Sequence, residues 1–147
     1  MNVSLSDWLA RGWLQKHRPD RRETQDLFAI VDRDMTDAQV EGISADTRLS
    51  IAYNAALQLA VAALAASGFR PGREAHHYRA IQSLRFTVGV DADVVDQLDG
   101  FRRKRNISDY ERAGGVSEYE AREMLVLAKM LREKVASWIR GNHPELM

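Results

Sequence analysis

Arg102, Arg103, Lys104 and Arg105 stand in an unbroken row, followed at once by Asn106, Ile107, Ser108, Asp109 and Tyr110. One helical turn separates Arg102 from Asn106 and Asn106 from Tyr110, so a helix puts all three on one face. Four adjacent cations repel one another and add nothing to an apolar core. Beside amide and phenol groups they suit a polyanion such as a phosphate backbone. The same row also reads as a solvated helix end, where the helix dipole favours cations.

The elements that must position this row read as helices throughout, because strand signals are nearly absent and only three prolines interrupt the chain. A first helix is expected over 5–16, capped by Ser4 or Ser6, with Leu5, Trp8, Leu9 and Trp13 on its apolar side. A second follows over 21–34. Both are too short to bury a core alone, so 1–43 reads as an N-terminal helical extension. A long helix over 44–67 is apolar almost all round and ends at Gly68, which places it at the centre of a bundle or against a partner. Its polar stripe of Ser50, Asn54 and Gln58 either hydrogen-bonds inside the bundle or lines a cleft with the basic row. After a loop over 69–74, a short helix over 75–88 offers Tyr78, Ile81, Leu84 and Phe86 to the core. Asp91 then caps the helix carrying the basic row. Ser117 and Glu120 form a capping box for a last helix reaching about 140. The short loops predict an all-α, up-down antiparallel bundle over 44–141, and the whole chain reads as one domain.

Composition narrows the classes. The chain has 147 residues, with 21 Lys+Arg against 21 Asp+Glu and a formal net charge of zero. A nucleic-acid site must therefore be a local patch. Cysteine is absent, which removes disulfides and thiolate metal sites and fits a reducing, cytoplasmic setting. Charged residues among the first 17 argue against a signal peptide. The apolar run over 51–66 falls short of the roughly 20 residues of a membrane span. Neither a metal-ligand set nor a glycine-rich phosphate loop is present, so no metal and no cofactor is expected.

The order of long helix, short helix, long helix with a basic-polar motif, and long helix resembles the HEPN superfamily. The motif carries the resemblance: Arg105-Asn106-Ile107-Ser108-Asp109-Tyr110 matches its Arg-Asn-x-x-x-Tyr form. Arg103 and Tyr110 overlay the family's Arg and Tyr positions, and Ser108 stands where the histidine would be. The resemblance spans about 44–140. It implies a bundle that dimerises with two motif helices across a cleft, and roles in toxin–antitoxin systems, phage defence or RNA processing. It also implies metal-independent endoribonuclease chemistry, in which a ribose 2′-hydroxyl attacks the adjacent phosphorus. That step needs a base, a proton for the leaving oxygen and cations on the phosphate. On this resemblance Arg103, Asn106 and Tyr110 are the candidate catalytic residues. Arg102, Lys104, Arg105, Asn54, Ser108, Asp109 and His77 are candidates for contacting the substrate.

Serine cannot shuttle protons near neutral pH, whereas histidine can. Two functions therefore compete. One is a ribonuclease or ribonuclease-like toxin, with His76 or His77 reaching the cleft as a replacement base. The other is a non-catalytic module that binds RNA, a nucleotide, or a partner protein such as a nucleotidyltransferase or antitoxin, with both histidines packing or solvated. A homodimer is expected from the apolar 51–66 run, since a two-fold axis would pair two basic clusters.

Overall fold

Serine and aspartate begin the helices where their short oxygens can reach an orphan backbone N–H. The computed structural model describes residues 4–110 and 114–147, with the side chains at 107–110 outside the description. Its helices are α1 (Leu5–Ala10), α2 (Arg21–Asp37), α3 (Ala45–Ala66), α4 (His76–Ser83), α5 (Ala92–Tyr110) and α6 (Glu118–Asn142), with a closing 3-10 turn at Pro144–Leu146. The Ser4 and Ser117 hydroxyls accept from Asp7 N and Glu120 N at 3.3 and 3.0 Å, and both form reciprocal capping boxes. Asp20 caps α2 by accepting from Glu23 N and Ser44 caps α3 by accepting from Thr47 N, without the reciprocal bond. Each such cap stabilises its helix by about 1 kcal/mol.

The chain is an all-α bundle built around α3, which packs against α2, α4, α5 and α6. That explains why α3 is apolar on every side: it has neighbours on every side. It is long and apolar enough to cross a membrane by length and composition, yet most of it is buried inside the bundle. Leu49, Leu59 and Leu64 have no exposed surface. Ala60 and Ala63 are equally buried, and their small side chains allow close helix approach. Truncating Leu59 to alanine should cost about 2–5 kcal/mol, since a dense core cannot fully collapse around the hole. Phe28, Val31 and Met35 of α2 belong to the same apolar cluster as α3 and α6, so 21–37 packs into the common core.

The first helix is shorter than expected. It stops at Ala10, Gly12 takes φ +78°, and Leu14–Lys16 becomes strand β1. Its partner β2 (Phe69–Pro71) lies in the segment expected as loop. The two run antiparallel, with Leu14 opposite Pro71, Gln15 opposite Arg70 and Lys16 opposite Phe69. The glycine turn redirects the chain so that Leu14 packs with Trp8 and Leu64 in a second small cluster, joined by Trp13 and Phe86. A Cβ at Gly72 would sit 3.2 Å from the Gly12 carbonyl oxygen, so a larger residue there would push the facing backbone back by a few tenths of an ångström. The short helix is also shorter than expected: α4 ends at Ser83, and turns lead to Gly89 at φ +80°.

Candidate functional site

The basic row of α5 does not form a solvated helix end. Its members are braced in different directions. Asp99, one turn earlier and only 6% exposed, accepts from Arg102 Nε at 2.7 Å and from an Arg103 terminal nitrogen. Spacings of three and four residues make that grip a local property of the helix. Lys104 Nζ pairs with Glu120 Oε2 of α6 at 2.8 Å. The Arg105 guanidinium lies 5.8 Å from the Tyr53 ring centre on α3 and donates to Asn106 Oδ1 at 3.3 Å.

Arg102 and Asn106 together form one wall of a cleft of about 410 Å³. The opposite wall is the start of α4: Ala75, His76, His77 and Tyr78. Ala75 holds φ 51°, a left-handed conformation that is costly for a residue bearing a Cβ, by about 1–3 kcal/mol. The kink starts α4 immediately afterwards and sets both histidines at the cleft. Tyr78, expected in the core, instead stands at the rim with the Arg102 guanidinium 5.6 Å from its ring centre.

Behind the histidines, Tyr53 Oη lies 3.4 Å from His77 Nδ1. Burial pushes the Tyr53 phenol above its ordinary value, against the opposing pull of Arg102 and Arg105. The imidazole of His77 moves down: burial comes first, then the positive charges of Arg105, His76 and Arg102. Burial drives both changes, and the nearby cations add to it at His77 but oppose it at Tyr53. At neutral pH the cleft therefore holds the Arg102 guanidinium and a neutral His77 imidazole, with the neutral Tyr53 phenol and the Arg105 guanidinium behind them. The cations suit a phosphate, and the imidazole can take a proton.

Of the residues singled out in the sequence, Arg102, Asn106 and His77 converge on this cleft, with Arg105 behind Tyr53. Arg103 is held by Asp99 with its side chain 63% exposed, and Lys104 is turned to α6. Asn54 donates to Asp34 Oδ2 of α2 at 2.7 Å and accepts from Gln58 at 3.4 Å, a contact within the bundle. The side chains of Ser108, Asp109 and Tyr110 lie outside the described residues. Sequence reasoning missed Tyr53, which offered only a phenol in an apolar helix, and Asp99, whose spacing to Arg102 and Arg103 was a usable signal. Among the described residues no three His, Asp or Glu side chains come together to hold a metal ion. No family model, curated protein or solved structure matches the chain.

Proposed function

We propose that this cleft binds an RNA phosphodiester and cleaves it by the metal-independent route of HEPN-like ribonucleases. The observation that carries the reading is the placement of His77 at a cleft walled by Arg102 and Asn106, where burial and the charge of Arg105 favour its neutral form. With the hydrogen on Nδ1, His77 donates to Tyr53 Oη, and the Nε2 lone pair is left for a substrate proton. The ribose 2′-hydroxyl gives that proton to Nε2, and its oxygen bonds to phosphorus. The bond from phosphorus to the 5′-oxygen breaks, and the leaving oxygen takes a proton from water. The products are a 2′,3′-cyclic phosphate and a free 5′-hydroxyl. Arg102 stabilises the charge on the phosphoryl oxygens, Arg105 adds its positive field from behind Tyr53, and Asn106 orients those oxygens. His77 so fills the role that Ser108 cannot. Toxin–antitoxin or defence biology in the cytoplasm is the setting that the resemblance implies.

A second copy of the chain is the assembly carried with this proposal, on a surface other than α3. Tyr119 and Val126, seven residues apart on α6, are 70% and 66% exposed beside Met130. Antiparallel α6 helices centred on Val126 would set Glu123 of one copy against Lys129 of the other, giving two symmetric ion pairs. Light scattering at micromolar concentration tests this, and a Val126→Glu variant should shift the protein to monomer.

The test of the chemistry is RNA cleavage by purified protein in chelator, with analysis of the new ends. Cyclic phosphate from the wild type and none from His77→Ala is the expected result. RNA binding without cleavage of any RNA pool would instead mark a non-catalytic binding module.

A further inference from the structure

His76 belongs to two clefts. On its other side lies a larger one, of about 540 Å³, bounded by β1, β2, the start of α2 and the outer surface of α3. Its floor is apolar, from Val61 and Ala65. Its rim is charged. Arg70 donates through Nε to Gln15 Oε1 at 2.9 Å, which fixes the plane of its guanidinium across the two-stranded sheet. The terminal N–H groups of Arg70 have no protein partner among the described residues, and Arg73 has neither ion pair nor hydrogen bond there. On the facing rim, His17 Nε2 contacts both oxygens of Glu23 at 2.9 and 2.8 Å. Each carboxylate oxygen keeps a further lone pair for an N–H donor.

Two arginines with unfilled donors, an apolar floor and a held carboxylate match the parts of a nucleotide: phosphate, base face and base-edge N–H groups. The position matters as much as the composition. Cleavage by 2′-hydroxyl attack acts on a polymer, and the neighbouring nucleotide must go somewhere. We propose that the cleft on the sheet side of His76 is a second nucleotide subsite for single-stranded RNA, with Arg70 and Arg73 on its phosphate and Val61 and Ala65 beneath its base. This rests on the reading of the first cleft given above. It makes the substrate a single strand that passes over His76, because a duplex cannot present an unstacked base to the floor.

The test is binding of a labelled 2′-O-methyl RNA octamer, which cannot undergo 2′-hydroxyl attack. Arg70→Gln/Arg73→Gln and Arg102→Ala/Arg105→Ala double variants are compared with wild type across a salt series. Arg70 and Arg73 are surface side chains, so their removal should leave the melting temperature unchanged. The expected result for the Arg70/Arg73 variant is at least tenfold weaker octamer binding. The slope of log affinity against log salt should fall by about 0.7 to 1.4, as one or two phosphate contacts are lost. Cleavage of a dinucleotide, which carries no second phosphate for Arg70 and Arg73, should stay within about twofold of wild type. Octamer affinity within twofold of wild type, while the Arg102/Arg105 variant binds weakly, would overturn the second subsite alone. Wild-type affinity in both double variants would overturn the first cleft as well. Equal affinity for a hairpin duplex and the single strand would also overturn the subsite.

Discussion

Asp34 on α2 and Asp99 on α5 are 5% and 6% exposed, and each is gripped by two side-chain donors. Asp34 accepts from Arg33 at 3.0 Å and from the Asn54 amide at 2.7 Å. Asp99 accepts from two guanidiniums, those of Arg102 and Arg103. In both, donors offset the cost of taking a carboxylate out of water. The outcomes differ because an amide is neutral. The Asp34 network sums to zero charge and closes between α2 and α3. The Asp99 network keeps one positive charge in excess and holds Arg102 on the wall of a cleft, opposite two histidines. A buried carboxylate is thus no sign of a site. The sign is what its partners face.

The largest effect should separate the two sides of α3. His77→Ala should lower RNA cleavage by about 10²- to 10⁴-fold, the usual contribution of a positioned base. RNA affinity should change little, because the cations remain. Asn54→Ala, one residue from Tyr53 but turned to α2, should leave cleavage unchanged and lower the melting temperature. A cleavage defect in Asn54→Ala as deep as that of His77→Ala would erase the distinction.

The two aspartates give the next effect. Asp34→Ala leaves Asn54 with a donor facing a part-buried gap, at a cost of about 1–3 kcal/mol. For a chain of this size that is roughly 2–10 °C in Tm. RNA binding should be unaffected. Asp99→Ala should be destabilising too, and it should also weaken RNA binding several-fold, as Arg102 loses its brace. The opposite sign is informative. Removing a negative charge beside the cleft raises its positive potential, so tighter RNA binding by Asp99→Ala would mean that Asp99 acts only as a competing charge.

What could be read from the chain was local. Ser4, Ser117 and Glu120 signal their caps within four residues, and α3 announces its burial through unbroken apolar composition. The shared face of Arg102 and Asn106 follows from helical spacing alone. The β1–β2 pair did not show, because three-residue strands carry too little alternation and the partners lie some 55 residues apart, as with Gln15 and Arg70. The sequence offers Tyr78 to the core together with Ile81, Leu84 and Phe86, and of these Ile81 and Leu84 are buried. The left-handed turn at Ala75 and the packing of α4 on α5 put Tyr78 at the rim instead. The convergence of His77, Tyr53 and Arg105 depends on how three helices dock, and no spacing within one helix encodes that.

The smallest effect is on stability, and it tests the cleft without RNA. The fold holds His77 below the ordinary histidine value of about 6.5. As pH falls, the unfolded chain therefore takes up a proton at this position before the folded chain does. Stability rises with pH wherever the unfolded state binds more protons. The contribution of His77 is thus fully present above about 6.5 and is lost as pH drops below that value, levelling off once the folded imidazole is charged too. His77→Gln cannot titrate. The Tm of wild type minus that of His77→Gln should be constant from pH 7 upward and should fall between pH 6.5 and 5, while groups common to both proteins cancel. A flat difference across that range would mean that the imidazole is as easily charged in the fold as in the open chain. Neither burial nor the cations of α5 would then act on it, and the packing of His77 against Tyr53 and Arg105 would be wrong.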